Sequence, residues 1–222
     1  YLILATGSEL SYFGHVQWKK FSLGLKNIEN ATLLRSKILQ AFEKAERIND
    51  DKTINKLLKF VVIGGGPTGV EIAGAIAELS KNVLRKEFAT IDTKTAQIIL
   101  LEAGPNLLPT ASLSLSIYAK ESLEKLGVEI KCNTAVQNIS ESLVATNTET
   151  IEAETIIWCA GVKASPLGNL LNTETDKIGR VFVKDDLSIP TYPNIFVIGD
   201  ASHVKDKNGS TLPGLASVAK QE

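Results

Sequence analysis

Six consecutive residues, Gly64-Gly65-Gly66-Pro67-Thr68-Gly69, carry the first chemistry legible in this sequence. They follow an apolar run, Phe60–Ile63, that reads as a strand, and they open a small-residue segment from Thr68 to about Leu84 that reads as a helix. In that setting G-x-G-x-x-G is an anion cradle. Gly64 permits a tight turn, Gly66 lets a diphosphate approach the backbone, and Gly69 lets the helix close on the strand. Amides at the helix start, at the positive end of its dipole, would hold the anion. Ala73 and Gly74 continue the close-packing face.

The next strand, Gln97–Leu101, ends at Glu102. A carboxylate there accepts hydrogen bonds from both adenosine ribose hydroxyls and repels a 2′-phosphate. No arginine follows in Ala103-Gly104-Pro105, so NAD is expected over NADP. The interval from the glycines exceeds the usual spacing of about 20 residues, which makes Asn82–Thr95 an insertion in the crossover. A solvated glutamate at a strand end is the alternative for Glu102.

Other reactive residues form no constellation. Cys132 and Cys159 have neither C-x-x-C nor metal spacing and read as small buried hydrophobes. His15 and His203 are isolated and read as surface or loop residues, and no metal set or Ser-His-Asp arrangement is visible. The net charge of -1 offers no electrostatic case for nucleic acid. The longest apolar runs are strand-sized, far below the ~20 residues of a membrane helix.

These residues need a scaffold of alternating strands and helices. Tyr1–Ala5 reads as a buried strand, Ser8–Gly24 as an irregular aromatic connector, Ile28–Ile48 as an amphipathic helix and Asn49–Asn55 as a loop. After Gln97–Leu101 come a helix at Ser114–Leu126 and a strand at Val128–Cys132. Weaker strands follow at Ala135–Ile139, Leu143–Thr146 and Thr150–Glu152, then an apolar strand at Thr155–Trp158. Val181–Val183 and Ile195–Ile198 are strands, and Pro213–Gln221 starts a helix. The expected fold is α/β: a Rossmann-type parallel sheet with an antiparallel excursion. The chain opens inside a strand-like run without Met and stops inside a helical stretch, so flanking residues are expected at both ends.

Three further motifs occur in order: Ala5-Thr6-Gly7, Cys159-Ala160-Gly161, and Ile195-Phe196-Val197-Ile198-Gly199-Asp200-Ala201. Together with the glycine turn they resemble the pyridine nucleotide–disulfide oxidoreductases, flavoenzymes built from an FAD domain and an NAD domain. Within that superfamily the chain looks most like the type II NADH dehydrogenases, single-subunit NADH:quinone oxidoreductases. Ser11-Tyr12-Phe13-Gly14-His15, Gly69-Val70-Glu71, Trp158-Cys159-Ala160-Gly161-Val162 and Leu212-Pro213-Gly214 carry that likeness.

The resemblance implies hydride transfer from NADH to FAD and then electrons to a quinone, in the respiratory chain on the cytoplasmic face of a membrane. It implies an NAD domain at 25–161, set between FAD-domain pieces at 1–24 and 162–222. Ala5, Thr6, Gly7, Ala160 and Gly161 are then domain crossings beside the cofactors, and Asp200 after Gly199 holds a ribityl hydroxyl, with a helix cap as the alternative. Pro213-Gly214 would bring Leu215 and Ala216 near the flavin. Glu71 would meet the nicotinamide carboxamide, with an acid favoured at a helix start as the alternative. The family's A-Q-x-x-x-Q quinone-side signature appears as Ala216-Ser217-Val218-Ala219-Lys220-Gln221, so Gln221 fits and Ser217 stands in place of the first glutamine.

The resemblance further implies that an FAD-binding glycine motif and amphipathic membrane-anchoring helices lie outside this stretch. The stretch alone is therefore expected to be inactive, and a homodimer stays open. A disulfide or sulfide reductase and a non-catalytic NAD-binding module are the rival readings.

Overall fold

The computed structural model describes residues 1–221. The chain divides into two compact units, residues 12–161 and residues 1–11 with 162–222.

The larger unit is built on a five-stranded sheet, in the order Leu23–Gly24, Thr155–Trp158, Lys59–Ile63, Gln97–Leu101, Val128–Lys131. Every neighbouring pair is parallel. Its strands are near-continuous apolar runs because both faces are buried. Phe60, Val62, Ile98, Leu100 and Ile157 pack with Leu34, Ile38 and Phe42 of helix Ile28–Glu46 and with Ala73, Ile76 and Ala77 of helix Pro67–Glu78. The alternate positions Val61, Ile99, Leu101, Ile156 and Trp158 are buried as well. Full burial of each such side chain contributes about 1.5–3 kcal/mol. The antiparallel excursion is a three-stranded sheet of Val136–Ser140, Leu143–Thr146 and Thr150–Glu152.

In the smaller unit, Leu2–Leu4 pairs in parallel with Tyr192–Val197, which pairs antiparallel with Ser188–Ile189. Ser8–Leu10 pairs with Val162–Ala164, and Val181–Phe182 with Ser202–His203. A small core of Val181, Ile189, Val197 and Ala201 holds these pieces together.

Several expectations need correction. The segment expected to be a loop at 49–55 contains a helix, Asp51–Leu57, started by Asp50, whose carboxylate accepts the Thr53 amide, and closed by buried Leu57. Residues 12–24 belong to the larger unit, not with the first strand: Tyr12 stacks on Trp158 at 5.2 Å, and Leu23 pairs with Ile157. The first strand is exposed rather than buried, since Leu2–Leu4 forms one edge of its sheet. The last helix is short, Ala216–Ala219, with Pro213 to Leu215 outside it.

The long helix expected from Thr68 to Leu84 is α-helical only to Glu78 and then widens into a π turn, Leu79–Val83. The 82–95 insertion folds back there, and the buried Thr93 hydroxyl donates to the Ser80 carbonyl at 2.6 Å. Lys81 Nζ donates to the Leu126 carbonyl from the same turn. The wider turn is thus held by tertiary bonds that the local sequence does not encode.

Candidate functional site

At the carboxyl ends of the central strands, Gly64 leaves Lys59–Ile63 with φ 108°, and its amide donates to the Leu101 carbonyl at 2.8 Å. Only glycine adopts that conformation readily, and here a Cβ would also lie 2.5 Å from the Ala160 backbone. Gly66 is the N-cap of helix Pro67–Glu78, Pro67 occupies its first turn, and no side chain caps this end. A Cβ on Gly66 would meet nothing within 4 Å, whereas one on Gly69 would lie 1.8 Å from the Gly64 carbonyl oxygen. The two glycines therefore serve different ends. Gly66 leaves room outside the turn, and Gly69 seats the helix on the strand.

Glu102 is half-buried at the end of the neighbouring strand, with its carboxylate turned onto the glycine loop. Oε2 accepts the Gly65 amide at 2.6 Å and Oε1 accepts the Gly104 amide at 2.7 Å. A carboxylate has about four acceptor positions, so each oxygen keeps one for a hydroxyl from outside. The backbone around it is tied as well: the Glu102 amide donates to the Lys131 carbonyl at 2.9 Å and its carbonyl accepts the Thr134 amide at 2.8 Å.

Beside this pair lies a cavity of about 400 Å³, walled by Gly64, Gly66, Glu102, Thr134, Cys159 and Ala160 and by the rings of Phe13, Trp18 and Trp158. Cys159 is free, and burial pushes its thiol up to about 12, so it lines the cavity as a neutral group. The aromatic wall comes from the connector. Trp18 lies 5.5 Å from Trp158, His15 stacks on Trp18 at 4.1 Å, and Phe13 meets Trp158 edge-on at 6.0 Å. His15, expected as an isolated surface residue, is exposed but belongs to this wall. The connector's aromatic content was the one available signal, and its spacing matches no regular element. Glu71 is exposed on the helix one turn beyond Pro67 and is not among the residues lining the cavity.

The remaining candidates lie in the smaller unit. Leu4 pairs with Val197, and the Ile198 amide donates to the Leu4 carbonyl at 3.0 Å. The two strand ends Ala5-Thr6-Gly7 and Gly199-Asp200 therefore emerge side by side, the arrangement in which parallel sheets hold ligands. Gly199 has φ 69°, and Asp200 accepts the Ser8 hydroxyl at 2.6 Å. Gly214 stands so close to Asp200 that a Cβ would lie 3.2 Å from its Oδ1, and Leu215 borders the same cleft. Ala216 opens the short helix, and Gln221 donates through Nε2 to the Ser217 carbonyl at 3.0 Å. His203, also expected at the surface, is instead paired with Asp176 and packed on Phe182 at 4.4 Å.

A cradle of glycine amides, an acid on the next strand and an adjoining apolar cavity define a dinucleotide-binding oxidoreductase fold. All of residues 1–222 match the family described as pyridine nucleotide-disulphide oxidoreductase, and the chain belongs to that family. It is 43% identical over 229 residues to the type II NADH:quinone oxidoreductase Ndh of Mycobacterium tuberculosis, covering 99% of this chain and 48% of that protein. It is 34% identical to the type II NADH:quinone oxidoreductase of Staphylococcus haemolyticus, covering 100% of this chain and 55% of that protein. NDH2 from Plasmodium falciparum in complex with NADH has the same fold, with a TM-score of 0.83 at 25% identity over 93% of this chain and 44% of that one. The chain spans about half the length of the curated relatives it matches. Among the described residues, no helix is long and apolar enough to cross a membrane.

Proposed function

We propose that this chain is the nucleotide-handling part of an FAD-dependent NADH dehydrogenase that passes electrons to a quinone. The single observation that carries the reading is the Glu102 carboxylate held on the Gly65 amide beside an uncapped helix start.

The NADH diphosphate lies against the open backbone at Gly66 and the amides of Thr68 and Gly69. Glu102 takes the adenosine ribose hydroxyls on the acceptor positions its two amide bonds leave free, and its charge excludes a 2′-phosphate. A Cβ on Gly65 would come within 2.7 Å of Leu107 and 2.9 Å of Glu102 Oε2, so a glycine here lets the turn lie close against the acid. Ala160 continues the floor, with Gly161 next to it in the chain, and the neutral Cys159 adds no negative charge near the diphosphate. The rings of Trp158 and Phe13 keep water from that end of the cavity. Glu71, exposed and outside the cavity lining, is assigned to the nicotinamide carboxamide on the likeness of Gly69-Val70-Glu71 to the family alone.

FAD would be held by Ala5, Thr6, Gly7, Gly199, Asp200, Leu215 and Ala216 in the smaller unit, and it supplies the hydride acceptor and the two-electron exit to quinone. Asp200 is pre-oriented for a hydroxyl partner by the Ser8 bond. Gln221 belongs to the quinone side. The full-length protein works at a membrane surface on its cytoplasmic side, with NADH and quinone as its substrates.

The test is steady-state oxidation of NADH and NADPH by the full-length yellow protein with a soluble quinone. NADH-dependent quinone reduction with a strong preference over NADPH supports the reading. Flavin bleached by sulfide but not by NADH would make it a sulfide reductase, and nucleotide binding without bound flavin would make it a sensing module.

A further inference from the structure

A second cavity, of about 350 Å³, lies at the opposite end of the same sheet. Strand Thr155–Trp158 spans the distance: Trp158 walls the dinucleotide cavity, whereas Thr155 and Ile156 line this one. Its volume is within the range of small-molecule sites.

Its walls are cationic. Lys37 and Lys44 stand two turns apart on one face of helix Ile28–Glu46, and Lys19 and Lys20 close the short helical turn Val16–Lys20 on the other side. Two independent elements thus bring four lysines to the lining of one cavity in a chain whose net charge is -1. Among the described residues, no carboxylate forms an ion pair with any of the four. The single acid in the lining, Glu154, is occupied by Lys56 at 3.9 Å and by the Ser142 hydroxyl at 3.0 Å. Lys20 makes a cation–π contact with Phe21 at 5.4 Å, a weak partner that a phosphate would outcompete.

The floor is apolar. Leu57 and Ile156 are buried beneath the lysines, and Leu33, which also lines the cavity, is 47% exposed. An inorganic ion would satisfy the ammonium groups and leave that floor wet. Lysines act as flexible point charges, without the bidentate fork of arginine, and suit phosphate carried on a body of variable shape.

We infer that the cavity rimmed by Lys19, Lys20, Lys37 and Lys44 binds an organic phosphate that carries an apolar body, a site distinct from the dinucleotide turn. Such a ligand has two sources, an anionic phospholipid of a bilayer or a soluble phosphorylated amphiphile.

The experiment uses the full-length protein and monomeric dihexanoyl phosphatidylglycerol as probe, followed by calorimetry at low salt. Each lysine near a phosphate is worth about fivefold in affinity. Saturable binding is expected, with Lys37→Glu combined with Lys44→Glu weakening it by about twentyfold or more. Glycerol 3-phosphate, which lacks the apolar body, should bind at least about tenfold more weakly. Lys19→Glu with Lys20→Glu attacks the other wall, and an unchanged melting temperature in either double variant separates lost binding from lost fold.

No saturable binding, equal affinity in a folded double variant, or equally tight glycerol 3-phosphate would overturn the inference. Co-flotation that is stronger with phosphatidylglycerol than with phosphatidylcholine vesicles, the difference being lost in either double variant, would support the site and assign it to a bilayer. Monomer binding with flotation that is equal in the parent and both double variants would support it and assign it to a soluble ligand.

Discussion

The Glu102 carboxylate accepts the Gly65 amide at 2.6 Å across the gap between two parallel strands. The acid is thereby tied to the glycine turn by a bond between protein groups, while each carboxylate oxygen keeps an acceptor position facing outward. Because the Gly104 amide holds the other oxygen, rotation of the carboxyl away from the turn would break two charge-assisted bonds.

Glu102→Gln tests this arrangement. It keeps the size of the side chain but removes the charge and one acceptor, and hydrogen bonds to charged groups are worth about 1.5–3 kcal/mol. In the full-length protein, kcat/KM for NADH should fall by about tenfold or more. The ratio of NADH to NADPH efficiency should shrink, since the repulsion of a 2′-phosphate is lost. An unchanged ratio would remove Glu102 from the site.

Gly66→Ala and Gly69→Ala separate binding from folding within one motif. At position 66 a methyl group meets open space and φ is an ordinary -72°, so the melting temperature should barely move while NADH binding collapses. At position 69 the methyl would lie 1.8 Å from the Gly64 carbonyl oxygen, and the helix must shift off the strand. Overpacking of this kind costs about 1–3 kcal/mol or more, so thermal unfolding should come several degrees earlier. Equal melting temperatures for the two variants would contradict the division of labour between the glycines.

The glycine turn, its two flanking strands and Glu102 were legible in the sequence because each rests on local rules: a buried apolar run, a conformation open to glycine, an acid at a strand end. The aromatic wall was not. Phe13, His15 and Trp18 lie on a connector without periodicity, and only the distant Trp158 gathers them. Helix Asp51–Leu57 did carry a signal, since Asp50 and Thr53 form an N-terminal cap, but seven polar-rich residues read as a loop until Leu57 and Leu58 are seen buried. His203 looked isolated because its partner, Asp176, is 27 residues away along the chain.

Asp176 makes the smaller unit sensitive to acid. Its Oδ2 accepts Arg180 Nε at 2.7 Å and lies 3.2 Å from His203 Nδ1, and its Oδ1 accepts the Arg180 amide at 2.9 Å. Burial pushes the carboxyl up, but the amide and guanidinium of Arg180 together with His203 outweigh it and hold the group below the usual carboxylate range. A carboxyl depressed in the folded state stabilises the fold above its unfolded value of about 3.9 and loses that contribution as pH falls through the folded value. Asp176→Asn should therefore be less stable than the parent at pH 7 and lose less on acidification below about pH 4. Parallel curves of melting temperature against pH for the two proteins would show that Asp176 contributes nothing to the acid limb.

Phe13 combines an unfavourable backbone with an exposed ring, and this makes it the most informative aromatic residue to change. Its φ of 49° is one a phenylalanine seldom adopts, and 63% of the residue is exposed although the ring walls the dinucleotide cavity. The ring presses on Gly161, where a Cβ would lie 2.5 Å from Cζ. Gly161→Ala should swing this exposed ring aside at little cost to the fold, since the clash is with the tip of an exposed side chain. Phe13→Gly removes the ring and relieves the left-handed backbone by about 1 kcal/mol, which offsets the lost edge-on contact with Trp158. Both variants should melt close to the parent, and both should change the KM for NADH severalfold while kcat with quinone moves less. A KM unaltered in both would mean that the ring only shields Trp158 and has no part in nucleotide binding.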